Sequence, residues 1–161
     1  MELVFVDSRG LGPVDATPRV VATLAVEAAA LVERGLPPFE VMSGFGAAFF
    51  LAFRFGGARG FLEQRMAADE GAGTMVAVQG EADDTALLRA VLEAAGLDLD
   101  DCVSVGEGVD RAALPRWVLW RQDDNGDRFV VETFTGRRKA DDRAARMEAG
   151  GHKQLYWVAS A

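Results

Sequence analysis

Three aspartates and one asparagine crowd the segment WRQDDNGDRFVV at residues 120–131. Oxygen ligands at this density could bind Ca²⁺, but an EF-hand loop needs glycine at its sixth position and a bidentate glutamate at its twelfth. Counted from Asp123, those two positions hold Arg128 and Phe134. Asn125-Gly126 is a strong hairpin signal, because both residues tolerate the positive φ of a type I′ turn. The segment therefore favours a turn over a calcium site.

The chain has one histidine and one cysteine. His152 follows two glycines where a helix should end, and its ring can hydrogen-bond the free carbonyls there. The alternative is a role as the base of a Ser-His-Asp site. Cys102 comes soon after three aspartates, which would raise the pKa of its thiol, the wrong direction for a nucleophile. We predict a structural histidine, a small core cysteine, and no catalytic residue, metal site or cofactor.

Other short motifs carry weak chemical signals. The turns SGFG at residues 43–46 and GEG at residues 106–108 match neither a P-loop nor a GxGxxG motif. The triplet RRK at residues 137–139 could grip a phosphate, yet cations at a helix start oppose the helix dipole. A solvated basic cluster, or one docked on the acidic front of the chain, is favoured.

Charge is unevenly distributed along the chain, whose net charge is −8. The part up to Pro115 has 8 basic and 18 acidic residues, a net charge of −10, and the rest has 9 and 7, a net charge of +2. An acidic front repels phosphate backbones, so nucleic acid is an unfavoured partner. A lone cysteine, an N-terminus without a basic region and no apolar run of about 20 residues indicate a cytoplasmic location without a membrane partner.

The front of the chain reads as an α+β domain. We predict strands at residues 2–6, 39–43 and 73–80, and a helix from Thr17 to Gly35. The Phe-rich run at 47–55 favours a strand but also fits a helical face, and 58–70 has helical spacing. Read to Val78, this order is the βαββαβ of ferredoxin-like folds, with two helices on one sheet face and the other face open. A further helix at 83–95, ended by Gly96, and a strand around Cys102 complete the domain.

The tail reads as a smaller ββαβ module. Its elements are strands at 117–121 and 128–134, a helix at 139–149 and a strand at 155–158. We therefore predict an acidic ferredoxin-like domain at 1–106, a linker at 107–115 and a second module at 116–161.

A type I′ turn fixes which side chains share a face of the tail hairpin. It makes Trp120 face Val131 and Trp117 face Phe134. One face, expected to pack on the helix, then has Val118, Trp120, Phe129 and Val131. The other face is mixed and is expected to contact solvent, the front domain or a partner; it has Trp117, Leu119, Arg121, Val130, Glu132 and Phe134.

The candidate partner or ligand site lies on that mixed face and at the start of the last strand. Its predicted residues are Trp117, Arg121, Glu132, Phe134, His152, Lys153 and Tyr156. Aromatic side chains on such a sheet, including Tyr156 or Trp157, can stack RNA bases, but they can equally form an interface with the front domain. The net acidic charge favours the interface.

The tail resembles a known family. The segments WVLWRQDDNGDRFVVETF and RMEAGGHKQLYWV, within residues 117–158, are similar to those of short actinobacterial SPOR-domain-like proteins, and GHKQLYWV is the most specific part. SPOR domains bind glycan strands of peptidoglycan outside the cytoplasm. The resemblance implies a small module of sheet and helix and, for this chain, no substrate.

Three functions remain after these observations. The leading one is a cytoplasmic, non-enzymatic binding or adaptor protein that recognises an unknown protein partner on its sheet faces. The second is a small-molecule sensor or enzyme that uses the open face of the front sheet, with Asp7 to Arg9 and Ser43 to Gly46 at its rim. The third is RNA binding through the tail. Exposed sheet edges also make a homodimer an expectation.

Overall fold

The computed structural model describes residues 1–8, 17–42, 47–66, 73–150 and 154–161. Within them the chain is a mixed α+β protein whose strands pair antiparallel. The strands are β1 (Leu3–Val6), β2 (Arg19–Leu24), β3 (Glu40–Met42), β4 (Ala48–Phe55), β5 (Ala58–Arg65), β6 (Thr74–Gln79), β7 (Cys102–Val105), β8 (Trp117–Gln122), β9 (Arg128–Phe134) and β10 (Leu155–Ser160); the helices are α1 (Ala28–Glu33), α2 (Asp84–Ala95) and α3 (Arg137–Ala149).

The front module is one sheet with helices α1 and α2 packed on it. Its strand order is β1-β4-β5-β6-β2-β7, and β3 also pairs with β4. The core lies between helices and sheet, and its fully buried side chains include Leu31 of α1, Leu88 of α2, Phe53 of β4 and Val76 of β6. The sheet face that holds Phe53 is therefore the covered one.

The predicted helix from Thr17 to Gly35 is wrong in its first half, where residues 19–24 form β2. This strand lies between β6 and β7 and is buried on both sides, as Val21 and Ala22 are fully inaccessible to solvent. A strand buried on both faces has a continuous apolar run, which periodicity cannot distinguish from a helix. Only residues 28–33 are helical, and Gly35 follows them with a φ of 100°.

The predicted helix at 58–70 is wrong as well, because β5 occupies residues 58–65 and pairs along its whole length with β4. Its inward positions alternate as Ala58, Gly60 and Leu62, which is strand periodicity carried by small residues. The Phe53 ring fills the space over Gly60, where a Cβ would lie 2.3 Å from its Cζ. With these two helices replaced by strands, the ferredoxin-like βαββαβ order is not found.

Elements marked by strong local signals are confirmed. The Phe-rich run is a strand, β4, and the predicted strands around Val4, Val41, Val76 and Cys102 are present. Helix α2 begins after Asp83, whose Oδ1 accepts the N–H groups of Thr85 and Ala86, and it ends at Gly96 in the left-handed conformation.

The tail has the predicted order of strand, strand, helix and strand. Its three-stranded sheet has the order β10-β8-β9, with α3 packed across one face. The buried core of this module is small and consists of Leu119, Phe134, Ala140 and Tyr156. The two sheets fall on either side of residues 107–115, and the domain boundary placed there stays a prediction.

The aspartate-rich segment is a turn held by hydrogen bonds of its own. Asp123 Oδ1 accepts the N–H groups of Asn125 and Asp127, each at 3.0 Å, and the Asp123 N–H donates to the Asp127 carbonyl at 3.0 Å. Gly126 has a φ of 88°, whereas Asn125 does not have positive φ. The loop is therefore a three-residue turn with glycine in the left-handed position, and the predicted type I′ turn is wrong.

The two modules meet at Asp98, whose side chain is 4% exposed. Its carboxylate accepts the N–H of Thr135 at 2.6 Å, the Thr135 hydroxyl at 2.8 Å and the N–H of Gly136 at 3.1 Å. The RRK triplet lies beside it: the Lys139 ammonium contacts Asp101 at 2.8 Å, and the Arg138 guanidinium donates to backbone carbonyls of the front module. Arg138 and Lys139 are thus docked on the front module, whereas Arg137 lies over the Trp117 ring of the tail and pairs with Asp141.

Candidate functional site

Helix α3 covers the mixed face of the tail sheet, which the sequence predicted to contact solvent, the front domain or a partner. Leu119, Phe134 and Tyr156 are buried beneath it, against Ala140, and Trp117 packs at the margin. The expected packing of Val118 and Trp120 on the helix is therefore wrong, although Val131 does pack there. Phe129 lies opposite Arg121 on the covered face but is 43% exposed. Phe134 and Tyr156 belong to the buried core of their own module, and Phe134 also lines a cleft together with Asp98 and Leu99 of the front module.

The predicted site residues do not form one open surface. The Trp117 ring lies under the Arg137 guanidinium at 5.2 Å, the Arg121 guanidinium lies 5.2 Å from the Phe129 ring, Glu132 accepts from Arg143 Nε at 3.2 Å, and the Tyr156 hydroxyl donates to Gln154 Oε1 at 2.9 Å. Phe134 and Tyr156 are buried. His152 and Lys153 lie outside the described residues.

The opposite face of the tail sheet, which we call the outer face, has a different set of apolar side chains. It consists of Trp120, Trp157, Arg128, Val130 and Leu155. These residues lie on one side of the sheet because side chains at directly paired positions of neighbouring strands point the same way. The two indole rings stack with centroids 6.2 Å apart and planes 10° apart. The Arg128 guanidinium lies 5.7 Å from the Trp157 ring.

Two aliphatic side chains extend this surface. Val130 is 55% exposed and Leu155 is 60% exposed, and both indoles are half-buried. The outer face thus presents stacked aromatic rings, aliphatic side chains and one cation to solvent. Aromatic residues and arginine are enriched in this way at the centres of protein interfaces.

A single extra residue in β9 decides which side chains face outward. Leu119 pairs with Glu132 and Trp120 pairs with Val130, so Val131 is a β-bulge without a direct partner. The type I′ turn predicted Trp120 opposite Val131, whereas the observed turn and bulge shift this pairing by one residue. The sequence signal that could have found the covered face is α3, whose small residues Ala140 and Ala144 leave room for large aromatic partners.

The rim proposed for a ligand site on the front sheet is only partly described. Residues 9 and 43–46 lie outside the described ranges. Ser8 donates both its N–H, at 3.2 Å, and its hydroxyl to the carboxylate of Glu40, so this serine has an internal partner.

Cys102 is a half-buried thiol beside an acidic segment. Burial and, to a smaller extent, the charge of Asp101 together raise the pKa of Cys102 to about 11. The sequence predicted that the pKa of this thiol is raised, which is confirmed, and burial is a larger cause than the neighbouring aspartates.

We expect this thiol to react slowly with alkylating reagents. With a pKa of about 11, roughly 0.1% of it is thiolate at pH 8, against about a quarter for an unperturbed cysteine. Iodoacetamide alkylation, followed by mass spectrometry, should be more than tenfold slower in the native protein than in the same protein unfolded in about 8 M urea. Equal rates in the two states would contradict this.

Among the described residues, no group of three or more His, Cys, Asp or Glu side chains is arranged to hold a metal ion. In the same residues, no helix is long and apolar enough to cross a membrane. No family model, curated protein or solved structure matches this chain.

Proposed function

We propose that this chain is a non-enzymatic binding or adaptor protein of the cytoplasm, and that it recognises a protein partner through the outer face. The observation that carries the proposal is the stacked pair Trp120 and Trp157 between the exposed side chains of Val130 and Leu155. Aromatic rings offer large contact areas at a low cost in conformational entropy, which suits a recognition surface.

The fold of the tail is a second part of this proposal. We infer that residues 117–158 form a SPOR-like module, supported by the strand, strand, helix and strand order and by the Asp-Asn-Gly turn between β8 and β9. Sedimentation with purified peptidoglycan sacculi tests whether this module binds glycan strands. If the protein co-sediments with the sacculi, its partner is a polysaccharide and not a protein.

Selection from a random peptide library tests the proposed function. The change is the double variant Val130→Thr/Leu155→Thr, which removes apolar side chains that are more than half exposed, so folding should be preserved. Burying each of these side chains contributes about 1.5 kcal/mol or more, so selected peptides should bind the variant at least about tenfold more weakly than the wild type. The blue shift of tryptophan emission on binding gives the Kd.

The matched control is Val103→Thr, which changes a valine that is 69% exposed on β7 of the front module. Its peptide affinity should equal that of the wild type. Failure to select any peptide, or equal binding by all three proteins, would count against the proposal. Titration with a single-stranded RNA oligomer and static light scattering run alongside, since binding of RNA or of a second copy of this chain to the outer face would identify another occupant.

A further inference from the structure

A cleft opens where the front module, the connecting segment and the end of β9 meet. Its volume is about 410 Å³, within the range of small-molecule sites. It is separate from the outer face, and its wall includes residues of both modules. The polar side chains of its wall include Arg111, Arg116, Asp100 and Thr133.

Two guanidinium groups in this cleft have no hydrogen-bonding or ion-pair partner in the part of the chain that the structure describes. Among the described residues, neither Arg111 nor Arg116 makes a side-chain hydrogen bond or an ion pair. Both are exposed at the cleft wall. The part of the chain up to Pro115 has a net charge of −10 by sequence, so carboxylates to pair these arginines are abundant in it.

The carboxylates beside these arginines are mostly engaged elsewhere. Asp98 accepts hydrogen bonds from Thr135 and Gly136, and Asp101 pairs with Lys139. Asp100 is the carboxylate of the cleft wall whose oxygens accept no hydrogen bond within the described part of the chain. The cleft wall therefore holds two arginine side chains without a described partner and two aspartates. The Asp98 oxygens are occupied by the neutral donors of Thr135 and Gly136, so Asp100 is the carboxylate that remains open beside the arginines.

We propose that this cleft binds a small oxyanion, a carboxylate or a phosphate monoester, held by Arg111 and Arg116. Guanidinium groups present paired N–H donors that match the oxygens of a carboxylate or phosphate in a bidentate arrangement. The Thr133 hydroxyl on the same wall adds a donor. Because the bound anion contacts Arg111 of the connecting segment and Arg116 and Thr133 of the tail module, it also holds the connecting segment against the tail.

Thermal unfolding followed by tryptophan fluorescence tests the proposal, with inorganic phosphate and succinate as separate probes at constant ionic strength. Each anion that binds should raise the unfolding midpoint as its concentration increases. In the double variant Arg111→Gln/Arg116→Gln the apparent Kd should be at least about tenfold weaker, because the charge-assisted hydrogen bonds are lost. The variant Arg111→Lys/Arg116→Lys should retain part of the affinity, since it keeps the charges but loses the bidentate geometry.

The matched control is Arg146→Gln, an exposed arginine in the last turn of α3, which should respond like the wild type. A response to phosphate alone, or to succinate alone, identifies the kind of oxyanion. The proposal is overturned if neither anion shifts the wild type, or if the glutamine double variant shifts as much as the wild type. Amide shifts of Ala112 and Thr135 in ¹⁵N NMR spectra give an independent readout, and perturbations confined to other regions would also overturn it.

Discussion

Replacing Asp98 by asparagine should lower the free energy of unfolding by about 3 kcal/mol, because it removes a buried charge whose oxygens are fully engaged. The carboxylate accepts three hydrogen bonds from Thr135 and Gly136. An asparagine has one acceptor oxygen. If that oxygen takes the place of Oδ2, which accepts the N–H groups of Thr135 and Gly136, the amide nitrogen takes the place of Oδ1 and faces the Thr135 hydroxyl and the Asp100 N–H, both of which now donate. Urea denaturation measures the loss.

The tryptophans make this experiment specific for the tail. All three lie at or after residue 117, so fluorescence reports the C-terminal module while circular dichroism reports both modules. The control is Asp100→Asn, a neighbouring exposed aspartate, which should change stability by about 0.5 kcal/mol or less. If Asp98→Asn behaves like this control, the junction does not depend on the buried carboxylate.

The effect of Asp98 should also depend on pH. Burial alone would raise the pKa of the Asp98 carboxyl, but the hydrogen bonds from Thr135 and Gly136 outweigh it and hold the pKa below the ordinary value of 3.8. A lowered folded-state pKa stabilises the protein above the unfolded-state pKa, and this stabilisation is lost as the pH falls through the folded-state pKa. The stability difference between wild type and Asp98→Asn should therefore be full above about pH 5 and shrink below about pH 4.

Replacing Gly136 by alanine should be comparably destabilising, by about 3 kcal/mol, for a steric reason. A Cβ at this position would lie 2.2 Å from the Leu97 carbonyl oxygen. That oxygen belongs to the backbone of the front module, so no side-chain rotation relieves the contact. Relief requires the start of α3 to move away from the front module, which lengthens the hydrogen bond from the Gly136 N–H to Asp98.

Gly57→Ala is the matched control for this substitution. A Cβ on Gly57 meets no atom within 4 Å, and neither glycine has positive φ, so this control carries the loss of glycine's backbone freedom without the steric contact. We expect Gly136→Ala to separate the fluorescence and circular-dichroism unfolding transitions, and Gly57→Ala to leave them coincident. Stabilities of the two variants within about 0.5 kcal/mol of each other would contradict the close contact at Leu97.

Local signals predicted the elements that local interactions determine. Asp83 and Gly96 mark the ends of α2 because capping hydrogen bonds involve only neighbouring backbone groups. The turn after Asp123 was likewise predictable, since its hydrogen bonds are confined to five residues. The direction of the Cys102 pKa also followed from adjacent aspartates, although its burial did not.

Distant pairing determines the features that the sequence did not predict. Residues 19–24 and 58–65 have apolar spacing compatible with a helix, and they are strands because β6 and β4 lie beside them. The face on which residues 128–130 lie depends on the turn type and on the bulge at Val131, since a shift of one residue moves side chains to the other face. Which face α3 covers depends on the packing of Leu119 and Phe134 against Ala140, which no local pattern indicates. The Asp98 junction joins positions 37 and 38 residues apart, which no local motif indicates.

The bulge at Val131 has an evolutionary consequence. Related chains that lose this one residue could retain the hairpin and its helix while exchanging the side chains that the first half of β9 displays to solvent. Length variation at this position, rather than substitution, would then be the simplest route by which the scaffold acquires a new binding specificity.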